Sequence, residues 1–441
     1  ALLNACLDRV TEVTDELKRL MREFDRELAM LKGRVNGLEA RVGEMEASFF
    51  STTTKLKGKT TFIMGAVTAG GDETTSDAFN QEEGAFTFSY DQRLTFVTSF
   101  TGKDKLTTRL RTGNMKNNVF SGKSTSFNLT GLDTASDKAD NEVFIDRLGY
   151  KFPVGKEFMV FVGPLARNTE SLAMWPSKYN KGGVKVLDFF SVAGVPAIYN
   201  KETGTLIGGY WKQKVAKGDP AFSISANYVA DDGEGNNSNS ATDGFLTDGS
   251  KGNFLAQLGW GNGQSGAAVA YRYGQCDSGI RRATEFVGST AVSCSSTAGE
   301  SRYSNGVALN VYWQPEEVGF IPSISAGWAL NVVSGDNLAM GTITETQSWF
   351  TGLKWDDVFV KGNALGFAFG QPTFATALKG GDTPSDGNYA FEAYYNFRAT
   401  DNITITPALF YLSRPKGQLT NALVDDSFNV FGGVVQTTFK F

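Results

Sequence analysis

From residue 58 to the end of the chain, hydrophobic and polar residues alternate with a period of two. In segment 220–230, Phe222 and Ile224 share one face, and Ser223 and Ser225 share the other. Successive side chains of a β-strand point to opposite faces, so this pattern predicts strands with one apolar and one polar face. Sixteen such segments can be assigned, near residues 58–69, 86–101, 105–114, 141–152, 157–163, 205–215, 220–230, 252–260, 266–274, 304–314, 320–331, 347–355, 363–370, 388–398, 402–412 and 428–441.

The connections between these segments alternate in length. Short ones, such as 102–104, 216–219, 261–265 and 399–401, separate longer ones. This alternation predicts an up-and-down antiparallel meander with an even number of strands, and outer-membrane barrels have long loops on one side and short turns on the other. The long connections are 70–85, 115–140, 164–204, 231–251, 275–303, 332–346, 371–387 and 413–427.

The number of strands decides which face points outward. A closed barrel of sixteen strands encloses a lumen too wide for side chains to fill, so its apolar face must point away from the lumen. An apolar outer face requires lipid, and closure removes the unpaired strand edges that hydrocarbon cannot satisfy. The sequence therefore predicts an all-β transmembrane barrel of about 16 antiparallel strands, occupying residues 49–441 and contacting outer-membrane lipid.

Residues 1–48 have a different period. Apolar residues recur there at spacings of three and four, and the other positions are rich in charge. Such a narrow stripe predicts an N-terminal α-helical coiled coil that associates with other copies of the chain. A single amphipathic helix lying on the barrel is the alternative. The predicted oligomerisation residues are Leu7, Val10, Leu17, Met21, Phe24, Leu28, Leu31, Val35 and Leu38.

Charged residues fall on the polar, lumen-facing side of several strands. Neighbouring cations are costly unless water or counter-ions screen them, and a water-filled pore supplies both. We therefore expect a positive wall at the constriction, with Arg93, Arg109 and Arg111 attracting anions. Alternatively, these cations pair with carboxylates of a loop folded into the barrel. The predicted pore-lining residues are Arg93, Lys105, Arg109, Arg111, Arg272, Lys354, Glu392 and Arg398.

Two further segments stand out. Connection 164–204 contains LDFFSVAGVPAIY, which is too apolar for a solvated loop and must be buried against the barrel wall or a neighbouring subunit. It is the best candidate for a loop that narrows the pore.

The chain ends in VVQTTFKF, an amphipathic strand whose Phe439 and Phe441 share one face. We interpret these two residues as the assembly signal read by the barrel-assembly machinery.

The amino-acid composition argues against several kinds of functional site. The 441 residues include no His, three Cys and 50 Gly, and the net charge is −5. Without His, Ser-His-Asp and Cys-His catalysis is excluded, and neither a metal site nor a cofactor is expected. The acidic balance argues against nucleic acid as a partner. If oxidised, Cys276 and Cys294 could form a disulfide stabilising by about 3 kcal/mol.

The chain resembles the cyanobacterial porins that join an S-layer homology domain and a coiled coil to an OprB-type barrel. The resemblance extends over nearly all of the sequence, and its motifs are specific only when taken together. They are NACLDRVTEV, FSTTTKLKGKTTF, DQRLTFVTSFTGKDKLTTRLRTGN, GWGNGQSGAAVAYRY, GLKWDDVFVKGNALGFAFGQP and the aromatic last strand.

The resemblance implies a trimeric outer-membrane porin that passes inorganic ions and small polar solutes, with the N-terminal helix in the periplasm. It also implies an S-layer homology domain ahead of these residues that binds peptidoglycan. The competing hypothesis is structural: an envelope protein whose barrel fixes one end while the coil and the peptidoglycan-binding domain tether the outer membrane. Ohmic conductance would favour the pore, and negligible conductance would favour the tether.

Overall fold

The computed structural model of the protein describes residues 14–20, 23–24, 26–39, 53–122, 128–135, 140–180, 184–239, 242–290 and 301–441. The chain divides into two units, Ala1–Lys55 and Leu56–Phe441.

The described part of the first unit is helical over residues 14–20, 23–24 and 26–39. The prediction of a helix is correct there, and the coiled coil itself remains a prediction. The apolar stripe is open to solvent in the single chain, with Phe24 67% exposed. Among the described residues, every helix is too short or too polar to cross a membrane. Leu17, Phe24, Leu28, Leu31, Val35 and Leu38 form the described part of the stripe, whereas Leu7, Val10 and Met21 lie outside the described residues.

Sixteen strands lie within the described residues, in the second unit except for the first two residues of β1, and each of the sixteen predicted segments corresponds to one of them. The strands are β1 (Thr54–Gly71), β2 (Thr87–Thr98), β3 (Lys105–Gly113), β4 (Phe144–Val154), β5 (Phe158–Arg167), β6 (Thr203–Lys212), β7 (Ala221–Asp231), β8 (Asn253–Gly261), β9 (Ser265–Gly274), β10 (Ser301–Trp313), β11 (Ser323–Asp336), β12 (Ile343–Asp356), β13 (Ala364–Leu378), β14 (Tyr389–Arg398), β15 (Ile403–Ser413) and β16 (Phe428–Lys440).

Each strand pairs with its neighbours in sequence, and β1 pairs with β16 to close the barrel. The closing register is antiparallel and runs from Lys59 opposite Lys440 to Gly71 opposite Phe428. Backbone hydrogen bonds between Gly58 and Phe441 extend the pairing to the last residue. The closed antiparallel barrel is therefore confirmed.

Some strand ends differ from the prediction. Residues 332–346 were expected to form a long connection, but β11 and β12 leave only residues 337–342 between them. The prediction was wrong because these strands continue through the polar residues Glu345 and Gln347, where the alternation fades. Strand β13 also continues past the predicted end at residue 370, with register shifts against β12.

The two faces of the barrel wall are as predicted. Ile224 of β7 is 53% exposed, whereas the next residue, Ser225, is 1% exposed. Leu309 and Asn310 of β10 show the same contrast. Apolar side chains therefore cover the outside of the barrel and polar side chains point inward, the arrangement that a lipid environment requires.

The described parts of the connections contain three short α-helices: α1 (Glu73–Glu83), α2 (Asp188–Ser191) and α3 (Glu285–Thr290). The helix α1 is capped at its start, where the Asp72 carboxylate accepts a hydrogen bond of 2.9 Å from the backbone N–H of Thr75. The alternating pattern gave no sign of this helix. The connection containing α2 lies inside the barrel and contributes 12 of the 35 residues of the largest buried hydrophobic cluster in the described part of the chain.

Candidate functional site

The connection between β5 and β6 is inserted into the barrel. We call its described residues, 168–180 and 184–202, the inserted segment. Phe189, Phe190, Val195 and Ile198 are almost completely buried. They pack with inward-facing side chains such as Phe350 of β12. Burial against the barrel wall, one of the two outcomes left open by the sequence, is thus the one observed.

Hydrogen bonds join the inserted segment to the polar inner face of several strands. The hydroxyl of Ser225 on β7 accepts from the backbone N–H of Ala173 at 2.9 Å. The hydroxyl of Ser325 on β11 accepts from the N–H of Lys178 at 2.8 Å. Only a segment inside the lumen can contact the inward faces of strands so far apart around the barrel. The inserted segment therefore narrows the channel.

Glu392 is the clearest correction to the predicted pore-lining set. It lies on β14 and points inward as expected, but the inserted segment covers it completely. Its carboxylate accepts a hydrogen bond of 2.8 Å from the Tyr179 hydroxyl and one of 2.6 Å from the backbone N–H of Leu187. Glu392 thus fixes the inserted segment to the wall instead of facing the pore.

The substitution Glu392→Leu should loosen this attachment. It would leave the Tyr179 hydroxyl and the Leu187 N–H buried without acceptors, at a cost of about 1–3 kcal/mol each. Glu392→Gln is the control, because an amide can accept from the N–H and donate to the hydroxyl oxygen. We expect faster amide hydrogen exchange in residues 184–202 of the leucine variant only. Equal exchange in both variants would contradict this role.

Glycines allow the inserted segment to approach the wall closely. A Cβ on Gly327 of β11 would collide with the backbone oxygen of Ala193, and one on Gly352 of β12 would press against the Tyr179 ring. Gly194 has a φ of 66° and lies directly against Phe350. These contacts leave no room for a side chain at the three glycine positions, so the position of the segment is sterically defined.

A buried ion network connects the inserted segment to two other connections. Asp188 is completely buried and pairs with Lys201, Arg281 and Arg282, the last at 2.7 Å. Burial alone would raise the pKa of Asp188, but these three cations outweigh burial and keep the pKa far below its usual range. Lys201 also pairs with Asp133, which belongs to the connection between β3 and β4.

A water-accessible cavity of about 1270 Å³ lies beside the inserted segment. Its lining is dominated by charged side chains, with more cations than carboxylates. The cations are Arg93, Arg109, Arg111, Arg147, Arg167, Lys178, Lys185, Lys201, Arg281 and Arg282. The carboxylates are Asp133, Asp146, Glu170, Glu202, Asp231, Asp232 and Asp277.

Arg93, Arg109 and Arg111, the predicted constriction residues, all lie in this cavity wall. Each is paired with a carboxylate: Arg93 with Asp91 at 2.7 Å, Arg111 also with Asp91, and Arg109 with Asp146. Both carboxylates belong to the strands β2 and β4. The alternative hypothesis, that these arginines pair with carboxylates, is therefore correct as to the pairing. The carboxylates, however, belong to the barrel wall and not to a loop folded into the barrel.

The other predicted pore-lining residues lie elsewhere. Arg272 is completely buried, where its guanidinium donates to Asn253, Ser304 and Ser278, so it does not face the cavity and the prediction is corrected. Lys354 of β12 is buried and pairs with Asp356 at 2.8 Å. Lys105 and Arg398 are exposed at strand ends next to short turns, where Arg398 pairs with Asp401.

Sequence reasoning missed Arg147, for a definable reason. Strands β3 and β4 pair Arg109 with Arg147, but the next pair is Leu110 with Ile145, so the register shifts at this point. This β-bulge directs the consecutive residues Asp146 and Arg147 both inward, which strict alternation forbids. Arg281, Arg282 and Asp188 were missed because they lie in connections, where no period exists.

Two remaining predictions concern the cysteines and the last strand. Cys276 is disulfide-bonded. Cys294 lies outside the described residues, so the pairing of these two cysteines remains a prediction. Phe439 packs against Phe62 of β1 with ring centroids 5.4 Å apart, and Phe441 is exposed at the closing edge of the barrel. Their role as an assembly signal is likewise untested.

Two kinds of sequence comparison bear on this geometry. The sequence model of the family described as "Carbohydrate-selective porin, OprB family" matches residues 12–441. An uncharacterized protein of Nostoc sp. is 32% identical over 466 residues, which span 100% of this chain and 76% of the relative. An uncharacterized protein of Synechocystis sp. is 26% identical over 477 residues, spanning 100% of this chain and 80% of the relative.

Solved structures show the same fold. The high-pH structure of Pseudomonas putida OprB matches with a TM-score of 0.54 and 13% identity, covering 88% of this chain and 94% of that one. An anion-selective porin from Comamonas acidovorans matches with a TM-score of 0.53 and 11% identity, covering 88% of this chain and 99% of that one. At such low identity the likeness concerns the barrel fold alone.

Proposed function

Because the chain belongs to the OprB family of carbohydrate-selective porins, we propose that this outer-membrane barrel passes inorganic ions and small polar solutes by passive diffusion. The single observation that carries the proposal is the contrast between the two faces of the wall. An apolar exterior surrounds a charged cavity of about 1270 Å³. Such a cavity stabilises water and polar solutes within a membrane that otherwise excludes them.

Carbohydrates are included among the proposed solutes. The family description names them, and the cavity also presents neutral groups suited to hydroxyl-rich molecules. Trp175 lines the cavity with its ring centroid 5.2 Å from that of Tyr199, and the amide side chains of Asn180 and Asn200 lie in the same lining. An aromatic surface bordered by amides offers both apolar contact and hydrogen bonds.

Planar-bilayer recording of the purified protein tests the proposal. A passive channel should give stepwise conductance that is linear with voltage and needs no energy source. Liposomes that contain the protein should also swell in solutions of small sugars, because a passive channel admits neutral solutes as well as ions. A barrel that inserts but carries no measurable current would contradict the proposal.

The cavity charges predict a modest preference for anions. Cations outnumber carboxylates in the lining, but most of the arginines are paired, so we expect chloride to be favoured over potassium by about twofold to fivefold. Reversal potentials in a salt gradient measure this ratio. Lys185→Gln, which removes a partly exposed cavity cation, should lower it, whereas Lys156→Gln in a short turn should not. A cation-selective wild type would overturn the prediction.

The structural hypothesis has one specific observation in its favour. The helix before the barrel carries an apolar stripe, including Phe24, Leu28 and Leu31, that is exposed in the single chain. Exposed apolar stripes of this kind are stabilised by helices from other copies. We therefore also propose that the chain forms a homo-oligomer, a trimer by the resemblance, and that an N-terminal domain ahead of the coil binds peptidoglycan. Pore and tether are compatible roles.

A further inference from the structure

The cavity contains two arginines whose guanidinium groups are not fully satisfied by the protein. Arg147 of β4 is 4% exposed, and its Nη2 has no hydrogen-bond partner among the residues that the structure describes. A buried guanidinium nitrogen without an acceptor is costly, because its hydration has been lost without replacement. Both Arg147 and its neighbour Arg167 line the cavity, so their side chains border the space that a pore anion would occupy.

Arg167, the last residue of β5, completes the pair. Within the described part of the chain, the contact of its side chain is a hydrogen bond of 3.4 Å from Nε to the Thr203 hydroxyl, and no carboxylate lies within ion-pair distance. The charges of Arg147, Arg281 and Arg109 repel it, and Glu170 attracts it.

The surrounding carboxylates are already engaged. Glu170 accepts from Arg147 Nε at 3.0 Å. Asp146 pairs with Arg109 and also contacts Arg147 at 3.3 Å. Asp146 also contacts Arg111, at 3.6 Å, and Asp91 is shared by Arg111 and Arg93. With Arg167 included, five arginines lie around three carboxylates, and the local charge is positive. Like charges this close and this buried require a counter-charge, which an anion from the pore would supply.

We propose that Arg147 and Arg167 form a binding subsite for a phosphate group inside the channel. A guanidinium presents two parallel N–H groups that match a tetrahedral oxyanion, which a spherical ion such as chloride cannot exploit. The phosphate is either the free inorganic ion or part of a phosphorylated solute. This inference rests on the proposed channel function, and it adds a ligand and the residues that bind it.

Bilayer recording in potassium chloride with added inorganic phosphate tests the subsite. Bound phosphate should obstruct the narrow channel, so the chloride current should fall as phosphate is added at constant ionic strength. Arg167→Gln should raise the phosphate concentration for half-block by about tenfold, equivalent to one lost charge-assisted contact. Arg398→Gln, a matched change at an exposed turn, should leave the block unchanged.

Further measurements distinguish inorganic phosphate from a phosphorylated solute and test whether the arginine geometry is needed. Glucose 6-phosphate blocking at lower concentration than inorganic phosphate would identify a phosphorylated solute as the ligand, and the reverse order would identify the free ion. Arg167→Lys should bind phosphate more weakly than the wild type, because a lysine keeps the charge but lacks the two parallel N–H groups of a guanidinium. Equal phosphate block in the wild type and in Arg167→Gln would overturn the subsite. So would a fall in current no larger than the lower chloride concentration itself causes. In either case the current would still show that the protein forms a channel.

Discussion

Replacing Asp188 with alanine is expected to release the inserted segment from its fixed position. The substitution leaves Lys201, Arg281 and Arg282 without their shared buried carboxylate. Removing one partner from a buried ion network typically costs about 3–5 kcal/mol, because the remaining charges stay desolvated. Amide hydrogen exchange in residues 184–202 should accelerate, and single-channel currents should become larger and noisier.

Two control variants separate charge from shape. Asp188→Asn keeps the volume of the side chain but removes its charge, so it should resemble the alanine variant if the three cations decide the outcome. Asp248→Ala removes an exposed carboxylate from the connection between β7 and β8 and should change neither exchange nor current. Wild-type exchange in Asp188→Ala would show that the network does not fix the segment.

The second large effect is expected from Gly327→Val. A side chain at this position of β11 would collide with the Asn310 amide and with the backbone oxygen of Ala193. The Asn310 amide also donates to this oxygen at 3.1 Å, so the substitution disturbs a contact and its hydrogen bond together. Overpacking of this kind costs about 1–3 kcal/mol. Displacement of the segment should raise the single-channel conductance.

Gly319→Val is the matched control. Gly319 lies in the short connection between β10 and β11, where an added Cβ would meet open space. Both substitutions add the same atoms and the same β-branching, so a difference in conductance reports on the contact with Ala193. If Gly327→Val gave wild-type conductance in correctly assembled barrels, the segment would not be positioned by this approach.

The barrel was predictable from sequence because lipid imposes one simple rule on every strand. Each residue in the wall faces either hydrocarbon or the lumen, and period-two alternation records that choice without reference to distant parts of the chain. The rule weakens where strands leave the membrane, which explains the longer β12 and β13. It fails at the bulge in β4, where Asp146 and Arg147 both point inward.

The candidate site was predictable only in part. The alternation of apolar and polar residues shows which way a side chain points, but it does not show which other residues contact that side chain. Arg272 and Glu392 point inward as predicted, yet both are buried. Glu392 is covered by residues more than 200 positions earlier in the chain, since Tyr179 and Glu392 are 213 positions apart. Arg93, Arg109 and Arg111 reach the cavity because β2 and β3 lie where the inserted segment leaves the lumen open. Such tertiary contacts leave no local pattern in the sequence.

The pairing of the first strand with the last also constrains how the protein is made. β1 gains its second partner only when β16 has been synthesised, so a nascent chain that ends before β16 exposes an open sheet edge. Folding during synthesis therefore cannot close the sheet before β16 has been added. The last strand thus decides whether the sheet closes, and a chain that ended before Phe428 would keep both edges of the sheet unpaired.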